Sequence, residues 1–208
     1  TSIPAAGWPR PLMPVELDPP DHGRFRALLA RCLNGKGGNA IAGALEEASA
    51  DLVKRLAPAG ECDLVRDFVW PLRNVLFATL FDVPEEETQV CAEWVGDLLQ
   101  DVDPGRRARA TKNFMAYVGR GIQEYSTGVR QGDGTGLLDL LANAEVDGEP
   151  LSQEQALDMA FLTGMASLDT LTNSISFTFR YLAGNPGSQH RLATEPEIAG
   201  RAAEEFLR

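Results

Sequence analysis

The sequence predicts a mainly α protein built around one long central helix, with minor β structure. Three observations predict it. Nearly every stretch with a hydrophobic period repeats at helical spacing rather than with the alternation of a strand. The stretch from about Ser152 to Ala183 is the longest and least polar, with only Asp158, Asp169 and Arg180 charged between Gln155 and Ala183; a helix apolar nearly all round is a central one. At 208 residues and 44% hydrophobic, the chain can bury one sizeable core, so a single unit over 1–208 is expected.

The elements follow in order. Residues 1–17 carry four prolines and no helical period, which reads as an irregular segment lying over something else. Asp18-Pro19-Pro20-Asp21 predicts a helix start with Asp18 as N-cap and proline in the first turn, running to about Cys32. Gly35-Lys36-Gly37-Gly38 predicts a break, after which Ile41, Leu45, Ala48, Leu52, Val53 and Leu56 mark a second amphipathic helix. Ala57-Pro58-Ala59-Gly60 ends it; a short strand is expected at Cys62 to Val65 and a buried helix at Phe68 to Phe81. Beyond Asp82-Val83-Pro84, helices are expected at about Glu85 to Leu99, Arg106 to Arg130 and Leu137 to Ala144. Val146-Asp147-Gly148-Glu149-Pro150 reads as a hairpin or turn, and Ser152 with Gln155 opens the long helix as a near capping box. Glu195 to Arg208 reads as a helix that continues to the end of the chain.

Composition narrows the function classes. With 19 basic against 30 acidic residues the formal charge is -11, which repels phosphate backbones and anionic lipid, so nucleic acid and membrane surfaces are not expected partners. No apolar run approaches the roughly 20 residues of a spanning helix, and a soluble cytoplasmic protein is expected. Cys32, Cys62 and Cys91 are odd in number and widely spaced. They suggest buried free thiols rather than a disulfide framework or a metal site.

Three local patterns can carry chemistry. In Ala166-Ser167-Leu168-Asp169-Thr170, two poor helix formers and an acid interrupt the apolar run. The Thr170 hydroxyl can bond the Ala166 carbonyl, bend the helix and open a groove, where Asp169 can pass a proton to a reacting oxygen. A satisfied buried acid beside a threonine is the plainer reading of the same residues. His22 and Arg26, four apart, share one helix face and can donate to a pair of carboxylates, or form a solvated surface pair. Glu205 and Arg208, three apart, read alone as an exposed ion pair worth about 0.3–0.5 kcal/mol.

Taken in order, DPPDHGRFR, a long apolar helix with ASLDT running into LTNSISFTFRYLAGNP, and AEEFLR resemble the cytochrome P450 family. The likeness is strongest to the soluble bacterial, camphor-hydroxylase-like members; LAPAGECDLVRDF, LFDVPEEE and VDGEPLSQEQA extend it over nearly the whole chain. The resemblance implies part of the family's helical fold and, for the complete protein, a haem-thiolate monooxygenase. That enzyme would hydroxylate a small apolar substrate of terpenoid size, using dioxygen and electrons passed from NAD(P)H through a ferredoxin, with haem b as cofactor. It implies that His22 and Arg26 donate to the haem propionates, that Ala166 packs on the haem, and that Asp169 and Thr170 deliver protons to dioxygen. Leu162 and Met165 would face the substrate, Ile3, Pro4 and Trp8 would form part of the pocket lid, and Glu205 and Arg208 would be structural.

Two departures stand out. Ser167 takes the place of the family's usual glycine, adding a hydroxyl to the oxygen groove. The family's iron-binding loop, F-x-x-G-x-x-x-C-x-G, has no counterpart: Phe25 and Cys32 share its spacing, but Leu28 and Asn34 replace its glycines. The iron-binding cysteine is therefore expected beyond Arg208 and the family's N-terminal sheet region before Thr1. The chain then reads as a fragment, from the substrate-lid segment through the ExxR helix, inactive by itself. The alternative is a non-catalytic helical binding module without haem.

Overall fold

Helix follows helix through residues 10–208, the part of the chain that the structure, a computed structural model, describes. α1 (Asp21–Leu33) begins after both prolines, with Pro20 rather than Asp18 at the N-cap position. A residue preceding proline is pushed out of the α region, so Pro19 cannot open the helix ahead of Pro20. Asp18 contributes only its carbonyl, which accepts from the His22 N–H at 3.1 Å. α2 (Gly35–Leu56) absorbs the glycines expected to break the chain. Gly35, at φ +58, turns the chain out of α1, and a Cβ on Gly37 would collide with the Cys32 and Thr135 carbonyls. Gly35 thus serves the break between the two helices, and Gly37 the close approach of α2 to the segment at Thr135.

The strand expected at Cys62 to Val65 does not form. After a 3-10 turn (Ala57–Ala59), Leu64–Val69 is π-helical. Its start is held by reciprocal bonds: the Asp63 carboxylate accepts from the Arg66 N–H at 3.0 Å and the Asp67 carboxylate accepts from the Asp63 N–H at 2.9 Å. Such local side-chain acceptors favour a helix start over an extended ladder. Cys62 is exposed, against the expectation of buried thiols, while Cys32 and Cys91 are buried.

α3 (Trp70–Phe81), α4 (Glu85–Gln100), α5 (Pro104–Ser126) and α6 (Leu137–Ala142) follow. α5 stops short of Arg130 because Gly128, at φ +74, turns the chain. Arg130 then folds back to pair with the Asp82 carboxylate at 2.9 Å, and the Tyr125 hydroxyl donates to the same carboxylate. The expected hairpin is present: β1 (Glu145–Val146) pairs antiparallel with β2 (Glu149–Pro150), Val146 opposite Glu149. Asp147 and Gly148 both have positive φ, 56 and 83, the turn that matches strand twist.

α7 (Gln153–Ala183) opens with a full capping box: the Gln155 N–H donates to Ser152 Oγ at 3.2 Å and the Ser152 N–H to Gln155 Oε1 at 2.9 Å. The helix expected from Glu195 to the chain end is a 3-10 turn (Pro196–Ile198) followed by α9 (Ala199–Phe206), and it is preceded by α8 (Pro186–Thr194), which the sequence did not suggest. Pro186 at the first helical position starts α8 immediately after α7.

The core lies where α3, α4, α5 and α6 pack on the first half of α7. Phe77 and Phe81 stack at 4.6 Å, Phe114 meets Phe81 edge-on at 5.9 Å, and all three rings are fully buried with Phe161 and Met159. Burying side chains of this size stabilises by about 1.5–3 kcal/mol each. Leu12 and Met13 join the same core from the N-terminal side.

Candidate functional site

α7 leaves the core at the segment that interrupts its apolar run. Leu168 is the last buried residue of the helix; Asp169 is half-buried, and Ala166 and Thr170 are exposed. The helix is uninterrupted here, and the expected bond from the Thr170 hydroxyl to the Ala166 carbonyl is not made. Its neighbours do bond back along the helix: Thr163 to the Met159 carbonyl at 2.7 Å, Ser167 to Gly164 at 3.0 Å, Thr172 to Leu168 at 2.8 Å and Ser176 to Thr172 at 2.7 Å. Those four hydroxyls are partly buried and need an internal acceptor, whereas an exposed hydroxyl does not. Ser167, expected to add a hydroxyl to a groove, spends it on the helix backbone. Thr170 has no side-chain hydrogen bond among the described residues.

His22 is half-buried and Arg26 exposed, one turn apart on α1. Neither side chain has a partner among the described residues, whereas the adjacent Arg24 is held by Asp147 at 2.9 Å and Asp21 at 3.3 Å. The structure leaves them unbonded to Asp169 and Thr170. Leu162 and Met165 are half-buried against the edge of the core. Ile3, Pro4 and Trp8 lie outside the described residues. Glu205 and Arg208 pair at 3.2 Å with side chains 72% and 80% exposed, the plain surface pair.

Sequence reasoning missed what fastens the N-terminal segment to α7. Arg10 Nε donates to both Asp158 oxygens at 3.0 Å and a terminal nitrogen donates to one of them at 2.8 Å. The Asp158 side chain is 5% exposed, and its hydrogen bonds raise the Arg10 guanidinium above the ordinary arginine value. A buried acid early in an apolar helix was the available signal, because such a charge requires a cation.

Burial pushes the Cys32 thiol up to about 11 and the Cys91 thiol up to about 12. No cluster of three or more metal-ligating side chains occurs among the described residues. An apolar cleft of about 300 Å³ opens between the end of α2, the π-helical segment and Phe179, lined by Val53, Leu56, Leu64 and Phe68. It holds none of Leu162, Met165, Ala166 or Thr170, and without converging polar groups it has the character of an uncovered helix face rather than a reaction site. Among the described residues no helix is long and apolar enough to cross a membrane.

No protein-family model matches the chain. It is 32% identical over 205 residues to a probable cytochrome P450 127A1 of Sinorhizobium fredii, an alignment covering 98% of this chain and 48% of that protein. The crystal structure of CYP101J2 superposes with a TM-score of 0.81 at 26% identity, covering 94% of this chain and 48% of that one. The chain has the sequence and fold of about half of a bacterial cytochrome P450. A vitamin D(3) 25-hydroxylase of Pseudonocardia autotrophica is a further relative, 30% identical over 200 residues, with 96% of this chain and 49% of that protein covered. The chain thus spans about half the length of the curated relatives it matches. A cytochrome P450 carries haem, and two features here fit that group. His22 and Arg26 offer donors one turn apart without an internal acceptor, and Ala166 and Thr170 leave a narrow strip of small side chains on α7.

Proposed function

We propose that the protein containing this chain is a cytoplasmic haem-thiolate monooxygenase that hydroxylates a small apolar substrate, with electrons from a ferredoxin. Residues 1–208 form part of its cytochrome P450 domain, and the cysteine that binds iron lies outside them. Haem b, when bound, supplies the binding and reductive cleavage of dioxygen. His22 and Arg26 donate charge-assisted hydrogen bonds to its carboxylates, and the Ala166 methyl packs on its face. Asp169 takes a proton from water on its exposed side and passes it inward, and Thr170 presents its hydroxyl as the last donor. Leu162 and Met165, with Ile3 and Trp8, enclose the substrate. The relative named as a vitamin D(3) 25-hydroxylase supports an apolar substrate; its terpenoid size is proposed from the likeness to the camphor-hydroxylase-like members. Glu205 and Arg208, a surface pair within residues 10–208, would hold their helix against the remainder of the complete protein.

One observation carries this reading: Thr170 keeps its hydroxyl unbonded where four neighbouring hydroxyls bond back along α7. The test is Thr170→Ala in the complete, haem-loaded protein. Substrate-driven oxygen consumption should persist while hydroxylated product falls and hydrogen peroxide rises to replace it. An unchanged ratio of product to oxygen consumed removes Thr170 from the role. A reduced, carbon-monoxide-treated protein without thiolate-type absorbance removes the haem-thiolate reading altogether and favours the haem-free module.

A further inference from the structure

α4 and α5 pack as an antiparallel pair, and three contacts fix their relative height. Arg107 Nε donates to the Leu98 carbonyl at 3.2 Å, the Trp94 and Tyr117 rings lie 6.3 Å apart, and Glu87 and Arg120 line one cleft. The two helices carry opposite charge. α4 has five acids and no base, and α5 five bases and one acid, in a chain where acids outnumber bases 30 to 19. α5 therefore concentrates positive charge on a strongly negative chain.

Each helix presents one exposed row. On α4 it is Glu86, Val90, Glu93 and Asp97; on α5 it is Arg109, Asn113, Ala116 and Arg120. Both rows step by four, three and four residues, the spacing that keeps side chains on one helix face and that a second helix can pack against. The three contacts set Glu86 level with Arg120 and Asp97 level with Arg109, with Val90 and Ala116 between them. These charges do not neutralise one another within the molecule. Among the described residues Glu86, Glu93, Asp97, Arg109 and Arg120 enter no ion pair, whereas Arg106, beside the turn, pairs with Asp101 at 3.6 Å.

A second copy can meet this face symmetrically in two ways. A twofold axis across the helices lays α4 on α4 and α5 on α5, like charge on like. A twofold axis along the helices lays α4 of each copy on α5 of the other, Glu86 over Arg120 and Asp97 over Arg109, each contact made twice. We propose that the exposed face of α4 and α5 is where two copies of this chain associate, in the second arrangement. Charge complementarity selects it, since like charges facing each other suppress the first. The 16 residues of α4 give a face about 24 Å long and, across two helices, about 20 Å wide. That is roughly 500 Å² per copy, below the roughly 800 Å² of a stable interface. The dimer is therefore weak, held by charge around a small apolar centre, and it dissociates as salt rises.

The test is sedimentation velocity on the complete protein at about 100 μM, in about 50 mM and about 500 mM salt. The parent should dimerise in low salt and associate about tenfold more weakly in high salt. Arg109→Glu/Arg120→Glu sets acid on acid and should weaken association about a hundredfold. Glu86→Arg/Asp97→Arg sets base on base and should do the same. All four substitutions in one chain exchange the two signs and should restore the parent's dimer, which neither a misfolded variant nor an unrelated acidic partner would produce. Should the fourfold variant fail to fold, an equimolar mixture of the two reversal variants, complementary at both contacts, should dimerise in its place. A parent that stays monomeric in low salt overturns the inference and leaves the face to a different protein. A dimer that either reversal leaves intact overturns it too, as does one that neither the fourfold exchange nor the mixture restores.

Discussion

Gly164→Ala tests the packing that fixes α7 against the aromatic core. Alanine in place of glycine inside a helix ordinarily stabilises by about 1 kcal/mol, because glycine loses more backbone freedom on folding. At Gly164 the added methyl would lie 2.5 Å from Phe114 Cζ, 2.8 Å from Cε1 and 3.4 Å from Phe81 Cζ. Phe114 cannot yield easily, since it is fully buried with Phe81 at 5.9 Å and Phe77 at 6.1 Å. Overpacking of a tight core costs about 1–3 kcal/mol; contacts this short put the clash in the upper part of that range, about 2–3 kcal/mol, so it outweighs the backbone gain and a net loss of about 1–2 kcal/mol is expected. At about 2–4 °C per kcal/mol for a domain of this size, Tm should fall by about 2–8 °C. Gly43→Ala in α2 is the control: nothing lies within 4 Å of its added Cβ, and it should gain up to about 1 kcal/mol. Thermal unfolding followed by circular dichroism reads both. If Gly164→Ala melts at or above the parent, as Gly43→Ala should, the close approach of α7 to Phe114 is not as described.

Asp158→Asn should lower Tm by about 4–8 °C. Breaking a buried pair costs about 3–5 kcal/mol, reduced here to about 2 because the Arg10 side chain is 31% exposed and water compensates; a change under 1 °C would remove the Arg10 anchor. Stability should also decline in alkali. Cys32 and Cys91 are raised from an ordinary 9.0 to about 11 and about 12, so the unfolded chain loses these protons first. Their contribution is complete below pH 9 and is lost as pH rises through the folded values, by up to about 1.4 kcal/mol per thiol per pH unit. Urea midpoints at pH 8 and pH 10 should diverge less in Cys32→Ala/Cys91→Ala than in the parent; equal slopes refute the assignment.

Sequence was most informative where structure is decided locally. The ends of α7 follow from Ser152 with Gln155 at one end and Gly184-Asn185-Pro186 at the other, and the hairpin from Asp147-Gly148, whose backbone angles few other pairs adopt. Cys62 to Val65 misled because four residues are too few to tell period 2 from a helical start, and the deciding bonds come from Asp63 and Asp67. The glycines after Asn34 marked the break but not its place, because α2 starts at Gly35 and Gly37 answers to the Thr135 carbonyl, which is distant in sequence. The same holds for the site. Asp169 and Thr170 stand out as interruptions of an apolar pattern, but the Arg10 to Asp158 bond spans 148 positions and leaves no mark in the local spacing.

Asp158 and Asp169 are eleven residues apart on α7, about three full turns, so they project from nearly the same face. The packing around them gives one residue type two uses. At Asp158 the helix is inside the core, and a bidentate arginine makes the charge tolerable; that carboxylate fastens the N-terminal segment to α7. At Asp169 the helix has just left the core, and the residue is half-buried between buried Leu168 and exposed Thr170. Full burial would make ionisation too costly, and full exposure would leave the proton without direction. The proton-relay role proposed for Asp169 needs the boundary between the two, and on α7 that boundary falls between Leu168 and Thr170.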